Sequence, residues 1–201
     1  MPVITGLRRC RGDQVAVELD GALWRVLPLE AVVAAGLADG IALDRERARR
    51  LGRELRRLKA RDTALRALRY RDHTAETLRR RLDARGIPEH SREAAIETMK
   101  RAGLVDDERF AAERARSLAE RGAGDLRIRH DLESRGVGAE LVDAALEQLE
   151  PESERARRLF EEHGRSPRAL RKLAANGFAE DVLHDLVAGE AETELRYERF
   201  I

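Results

Sequence analysis

Residues 78–87, LRRRLDARGI, recur fifty positions later as residues 128–137, IRHDLESRGV, and in a weaker form as residues 169–178, ALRKLAANGF. In each copy two apolar residues stand four positions apart, which places both on one face of a helix. A glycine that tolerates the left-handed conformation then ends the helix, and the apolar residue after it is expected to pack against that same helix. The third copy follows the second at an offset of 41.

Each copy lies inside a larger unit. A second apolar-striped helix follows the glycine, and another helix precedes the copy, at 64–71, 108–121 and 152–163. One such unit buries too little apolar surface to be stable, so neighbouring units are expected to stack. The sequence thus predicts a mainly α protein of three tandem three-helix repeats at 62–104, 105–150 and 151–190, followed by an acidic tail at 191–201. The glycine-rich residues 122–124 are expected to form a flexible joint.

Residues that cap helices stand at the expected helix starts. Thr74, Asp125 and Ser166 each precede an apolar-striped segment, and side-chain oxygens of these residue types accept hydrogen bonds from the free amides of a first turn. For the helix that opens the second repeat, Asp106 or Asp107 is the predicted cap. These positions support the helix boundaries that the apolar spacing indicates.

Residues 1–61 form a different, N-terminal extension. The Asp20-Gly21 dipeptide is a hairpin turn signal, and Trp24 and Val26 are expected on one face of the strand after it. Such a small sheet must pack on something else to be stable. Strands are predicted at 3–7, 14–20 and 22–27.

A strongly basic helix is predicted after this sheet. Pro28 suits the start of a short helix over 29–35, and Asp44 is expected to cap a longer one over 45–61. That longer segment holds nine basic and two acidic residues, which makes it a candidate for contact with a polyanion. The alternative is a solvated face that is balanced by the acidic half of the chain. The candidate contact residues on it are Arg49, Arg53, Arg56 and Arg57.

The charge is distributed unevenly along the chain. Residues 1–104 hold 23 Lys and Arg against 15 Asp and Glu, whereas residues 105–201 hold 16 against 23. A basic half is suited to nucleic acid or to an acidic protein groove. The alternative is a charge-rich surface that has no polyanionic partner. Charge alone therefore leaves the partner open.

Composition argues against an enzyme or a metal site. The five histidines are not spaced as metal ligands, Cys10 is the only cysteine, and no glycine-rich phosphate loop appears. The acidic run Asp106-Asp107-Glu108 could bind Mg²⁺, but a helix cap with an acidic first turn is the favoured interpretation. No signal peptide or membrane span is evident. We therefore expect a cytoplasmic protein without a cofactor, metal or membrane partner. Although the sequence does not settle the oligomeric state, the expectation is a monomer.

The central repeat carries a family resemblance. Residues 103–111, GLVDDERFA, and 124–137, GDLRIRHDLESRGV, are similar to the middle repeat of the RecX family, and residues 68–86 resemble its first repeat. The resemblance implies an elongated, curved stack of repeats that regulates the bacterial recombinase RecA. Such a protein lies in the groove of the RecA filament on single-stranded DNA, limits filament growth, and damps ATPase, strand-exchange and co-protease activities.

Three functions remain open at this point. The first is a modulator of the RecA filament that acts by binding alone, with indirect or weak contact to single-stranded DNA. The second is a direct nucleic-acid-binding helical module, against which stands the scarcity of aromatic residues for base stacking, 3% of the chain. The third is a structural helical adaptor. Candidate contacts on the aligned helices of the three repeats are Arg79, Arg80, Arg81, Arg85, Arg127, Arg129, Arg135, Arg168, Arg171 and Lys172.

Overall fold

The computed structural model describes residues 1–188. The predicted acidic tail at 191–201 and the last two residues of the third predicted repeat lie outside them. The described residues form a mainly helical protein with one small sheet, as the sequence predicts. In chain order the elements are β1 (Ile4–Arg9), β2 (Gln14–Leu19), β3 (Ala22–Pro28), α1 (Leu29–Ala34), α2 (Arg45–Leu68), α3 (Ala75–Asp83), α4 (Glu89–Arg101), α5 (Asp107–Glu120), α6 (Asp125–Ser134), α7 (Ala139–Glu147), α8 (Glu152–Glu162), α9 (Pro167–Ala175) and α10 (residues 180–188).

The N-terminal sheet is antiparallel, with strand order β1-β2-β3. Asp20 and Gly21 form the predicted turn, both with positive φ (48° and 82°). The prediction that Trp24 and Val26 share a face is wrong. Trp24 packs against the core, Val26 is 49% exposed, and Leu27 is buried instead. The cause is a register shift opposite Trp24, since an extra residue in one strand reverses the alternation after it.

One long helix, α2, stands where the sequence predicts two, at 45–61 and 64–71. The expected break is wrong because neither glycine nor proline lies between these segments. Thr63 is buried there, and its hydroxyl donates to the carbonyl oxygen of Lys59, which keeps a β-branched residue inside the helix. The boundary at residues 61 and 62 between the extension and the first predicted repeat therefore falls inside a continuous helix.

The chain divides into two compact units. Among the described residues the first comprises 1–71 and 78–104, and the second comprises 72–77 and 105–188. In the first unit the sheet, α1 and the first half of α2 enclose one apolar core, and α4 packs against α2. In the second unit α5 packs on α6 and α7, and α8 packs on α9. Alanine, leucine and valine fill most of these cores, as the shortage of aromatic residues requires.

The repeated helix ending is confirmed in all three copies. Gly86, Gly136 and Gly177 have positive φ (66°, 75° and 82°) and end α3, α6 and α9. The amide of the next residue donates to the carbonyl oxygen five positions earlier, which satisfies an acceptor that the helix leaves free. These bonds join Ile87 to Leu82 at 3.2 Å, Val137 to Leu132 at 3.1 Å and Phe178 to Leu173 at 3.3 Å.

Most predicted helix caps are confirmed. Asp44, Asp106 and Ser166 each accept a hydrogen bond from the amide three residues on, and the hydroxyl of Thr74 does the same for α3. The predicted cap at Asp125 is wrong, because α6 begins at that residue.

The predicted flexible joint at residues 122–124 is wrong as well. All three residues are buried, and the amide of Gly124 is hydrogen-bonded to the carbonyl oxygen of Asn176. Gly124 is itself the N-cap of α6. Its missing side chain serves close packing against another segment.

Candidate partner-binding surface

Two junctions in the second unit are built in the same way. At the first, the hydroxyl of Thr74 donates a 2.6 Å hydrogen bond to the carbonyl oxygen of Arg135 and accepts one from the amide of Thr77. The amide of Ala75, the first residue of α3, donates at 2.8 Å to the carboxylate of Asp107, the first residue of α5. The start of α3 is thus tied to two elements of the second predicted repeat.

The second junction ties the start of α6 to the third predicted repeat. The amide of Gly124 donates at 3.0 Å to the carbonyl oxygen of Asn176. The amide of Asp125, the first residue of α6, donates at 2.6 Å to the carboxylate of Glu152, the first residue of α8. Burial raises the pKa of Glu152, against the opposing effect of this bond.

The two junctions use aligned positions of the repeat. Gly124 stands 50 positions after Thr74, and Asn176 stands 41 positions after Arg135, which are the offsets between the copies. A Cβ atom on Gly124 would overlap the backbone of Gly177, so glycine allows the close approach in which its amide reaches the carbonyl oxygen of Asn176. Each junction also satisfies amides at a helix start that no intrahelical partner can reach. One contact has therefore been used twice, as expected for stacked repeats.

A buried arginine holds the second junction. Arg155 is only 3% exposed, and its guanidinium donates to the carbonyl oxygens of Ala123 and Glu150, both at 2.9 Å. It also forms an ion pair with Asp125 and lies 5.9 Å from the centre of the Phe178 ring. Burying a charge is costly unless it is paired and hydrogen-bonded, and here both conditions are met.

Arg135, one of the predicted contact residues, belongs to an ion network inside the second repeat. Arg114 binds Asp131 through two hydrogen bonds of 2.9 Å, and Arg135 binds the same carboxylate at 2.8 Å. The bonds from Arg114, followed by that from Arg135, hold the pKa of Asp131 well below its usual range. The network joins α5 to α6, so Arg135 has a structural partner.

Three other predicted contact residues also pair with carboxylates of the chain. Arg79 of α3 binds Glu93 of α4 through two bonds of 2.8 and 3.0 Å, which lower the pKa of Glu93. The other two are Arg129, which binds Asp143 at 2.6 Å, and Arg57, which binds Glu30 and Glu54 at 2.8 Å each.

Two more candidates have uncharged or histidine partners. Arg127 donates to the side-chain oxygen of Asn176 at 2.9 Å, which adds to the second junction. Lys172 lies 2.9 Å from Nε2 of His163. Both side chains remain exposed despite these contacts.

The remaining candidates are exposed arginines on three helices. Their side chains are exposed to solvent. On α3 they are Arg80 and Arg81, with Arg85 just after its end, on α9 Arg168 and Arg171, and on α2 Arg49, Arg53 and Arg56.

Two important arginines were not among the sequence-based candidates. Arg45 is exposed on the same side of α2 as Arg49. Arg155 is buried, and its spacing from Leu159 is the helical interval at which an apolar residue is normally found. Its position four residues before Leu159 is thus a sequence signal that Arg155 is buried. Its partners Ala123 and Asp125 lie about thirty residues away in the chain, so they could not be inferred from the sequence.

Comparison with known proteins agrees with this repeat arrangement. The model described as "RecX, first three-helix domain" matches residues 60–99, and that described as "RecX, second three-helix domain" matches residues 106–146. Regulatory protein RecX of Xanthomonas campestris pv. campestris (strain B100) is 39% identical over 118 residues, or 56% of this chain and 73% of the relative. Regulatory protein RecX of Chromohalobacter salexigens is 37% identical over 127 residues, or 59% and 84%.

The chain belongs to the RecX family. Solved structures of RecX proteins share its fold. A crystal structure of regulatory protein RecX matches with a TM-score of 0.76 at 22% identity and covers 94% of this chain and 100% of its own. That of RecX from Lactobacillus salivarius matches with a TM-score of 0.58 at 18% identity over 67% of this chain and 96% of its own.

The acidic run at residues 106–108 has a structural role at two of its positions. Asp106 caps α5 and Asp107 binds the first amide of α3, as the helix-cap interpretation predicts for Asp106. Within residues 1–188 no three histidine, cysteine or acidic side chains are grouped as metal ligands. No helix in this part of the chain is long and apolar enough to cross a bilayer.

Proposed function

We propose that this RecX protein is a negative regulator of the RecA recombinase in the cytoplasm, acting as a monomer on the RecA filament assembled on single-stranded DNA. The observation that carries the proposal is the 37–39% identity to regulatory RecX proteins over 73–84% of their lengths. The protein binds in the filament groove and limits filament extension, ATP hydrolysis and strand exchange. It acts by binding, without chemistry of its own.

We propose that the repeats at 62–104, 105–150 and 151–190 allow the protein to contact more than one RecA subunit of the filament. Arg79 and Arg129 stabilise the repeats through ion pairs with other helices, and more exposed arginines are the better contacts for an acidic filament groove. We therefore expect the contact to depend on Arg80 and Arg81 of α3, on Arg85 just after that helix, and on Arg168 and Arg171 of α9. Exposed guanidinium groups speed the association of the protein with an acidic surface and orient it there. Because salt screens this attraction, the interaction should weaken as the salt concentration rises.

The test is an ATPase assay on RecA filaments assembled on single-stranded DNA. Increasing amounts of the protein should lower the steady-state rate, and an unchanged rate at molar excess would favour the adaptor function instead. The double variant Arg168→Ala/Arg171→Ala should inhibit less than the wild type. The variant Arg116→Ala/Arg157→Ala, which removes two exposed arginines from α5 and α8, is its charge-matched control.

A binding comparison separates the first two functions. We expect tight binding to RecA-coated single-stranded DNA and weaker, salt-sensitive binding to the bare strand. Fluorescence anisotropy with a labelled oligonucleotide, with and without RecA, measures both. Equal affinity for the two would contradict a filament regulator and favour a direct nucleic-acid-binding module.

A further inference from the structure

The arginines of α2 fall into two groups on different sides of the helix. At 100° per residue, Arg45, Arg49, Arg53 and Arg56 lie within an arc of about 80°. The other group, Arg47, Arg50, Arg57 and Arg61, lies in a neighbouring arc of about 80°, centred some 120° away. Helical spacing separates the groups by angle, but the ion pairs of Arg57 and Arg61 with Glu30 are visible only in the fold.

The second group is neutralised by carboxylates of the same unit. Arg57 and Arg61 both bind Glu30 of α1, at 2.8 and 2.7 Å. The remaining pairs join Arg47 to Asp44, Arg50 to Glu46 and Arg57 to Glu54. These arginines face acidic side chains and are poor candidates for an external anion.

The first group has no such partners. Within residues 1–188 no hydrogen bond or ion pair joins any of its four side chains to another residue, and all four are exposed. We name this group the arginine stripe. Four uncompensated charges on one helix face repel one another, so the stripe costs stability unless an external anion neutralises it.

The floor of the stripe is open. Ala48 and Gly52 lie between the arginines, and together they line a groove of about 600 Å³. A Cβ atom on Gly52 would lie 3.4 Å from the guanidinium of Arg56. Glycine inside a helix costs about 1 kcal/mol relative to alanine, yet here it lets the guanidinium of Arg56 lie close to the helix backbone.

The groove continues a face that is already used for packing. Ala60, Ala64 and Ala67 are buried on the side of α2 that carries the stripe, and α2 packs against α4. In the first half of the helix that side carries arginines, while the apolar residues Leu51, Leu55 and Leu58 face the sheet core. One side of α2 thus changes along its length from a buried surface to an open basic one.

We propose that the arginine stripe binds the phosphodiester backbone of nucleic acid, independently of the recombinase. Guanidinium groups bind phosphates through paired hydrogen bonds, and a row of four along one helix follows a line of phosphates. The groove holds no aromatic side chain for stacking and no neutral amide for reading bases. Recognition is therefore independent of sequence and governed by counterion release. This inference goes beyond regulation of RecA, because it concerns bare nucleic acid.

The test is a salt titration of binding to a labelled single strand and to the matching duplex, without RecA. Four phosphate contacts predict slopes of log K against log salt of about −3 for the single strand and about −3.6 for the duplex. In Arg49→Gln/Arg53→Gln the slope should fall in magnitude by about 1.5, and binding at 50 mM salt should weaken about a hundredfold.

The matched control is Arg50→Gln/Arg57→Gln, which removes the same charge from the same helix on its ion-paired side. Both variants should keep the circular dichroism spectrum of the wild type. Equal losses in both variants, or no loss in the first, would overturn the proposal. So would binding to phosphatidylglycerol vesicles in place of DNA, which would point to a membrane. If the stripe variant keeps DNA binding while the wild type still lowers RecA ATPase activity, this inference fails and the proposed function stands.

Discussion

The amide of Gly124 donates a 3.0 Å hydrogen bond to the carbonyl oxygen of Asn176, across two segments that are 52 residues apart. The same position in the preceding repeat is Thr74, whose hydroxyl reaches the carbonyl oxygen of Arg135. A side-chain donor and a backbone donor thus make the same junction at aligned places. At the second junction the backbone of Gly177 lies where a Cβ atom on Gly124 would be.

Gly124→Ala should destabilise the second unit, because the added Cβ atom would overlap the backbone of Gly177. The expected cost is about 1 to 3 kcal/mol, typical of inserting a methyl group into a packed site. Urea unfolding followed by circular dichroism measures it. Gly138→Ala is the control, since Gly138 is also a helix N-cap but has no atom within 4 Å of its Cβ position. Similar losses in the two variants would show that the close approach does not matter.

Arg155→Met should lower the free energy of unfolding far more than a substitution on a charged helix normally does. It leaves Asp125 and the carbonyl oxygens of Ala123 and Glu150 without their donor. Removing one partner of a buried ion pair costs about 3 to 5 kcal/mol. Arg157→Met, at an exposed position on the same helix, should change the free energy of unfolding by less than about 0.5 kcal/mol. Thermal unfolding of both proteins gives the comparison, and equal melting temperatures would contradict it.

Asp107→Ala tests the first junction. It removes the carboxylate that accepts from the amide of Ala75, so we expect a loss of about 0.5 to 2 kcal/mol, as for a helix cap. Glu108→Ala removes an acidic residue from the same first turn of α5 and controls for the helix dipole. Hydrogen exchange at the start of α3 should rise in the first variant only. Unchanged protection there would mean that the junction does not stabilise the start of α3.

Asp131→Asn should change how stability depends on pH. The pKa of Asp131 is lowered in the folded protein, chiefly by Arg114, so its carboxylate stabilises the fold above the ordinary aspartate pKa of about 4. That contribution is lost as the pH falls below about 4. The variant should therefore be less stable at pH 7, by about 1 to 3 kcal/mol, and the difference should shrink toward pH 2.

The control for this pH experiment is Asp39→Asn, at an exposed position of the first unit. It should follow the wild-type curve at every pH. A constant gap between wild type and Asp131→Asn from pH 7 to pH 2 would show that Asp131 does not titrate below its usual range. Urea midpoints at several pH values provide the data.

Local signals in the sequence predicted much of this fold. The Gly86, Gly136 and Gly177 endings, the caps at Asp44 and Ser166 and the Asp20-Gly21 turn depend on neighbouring residues and were confirmed. The predictions were wrong where a contact with a residue distant in sequence determines the local structure. Thr63 continues α2 because it is buried, and residues 122–124 are packed because Asn176 and Gly177 lie against them.

The sequence by itself determined the repeat, its register and the family, because apolar spacing and glycine positions act within one or two helical turns. Only the tertiary structure decided which arginines are left without an internal carboxylate and can therefore bind an external anion. Arg49 and Arg57 carry the same charge on the same helix, but Glu30 of α1 neutralises Arg57 and no carboxylate of residues 1–188 binds Arg49. Ion pairing depends on distances of a few ångströms between elements far apart in the chain, and those distances exist only once the helices have packed.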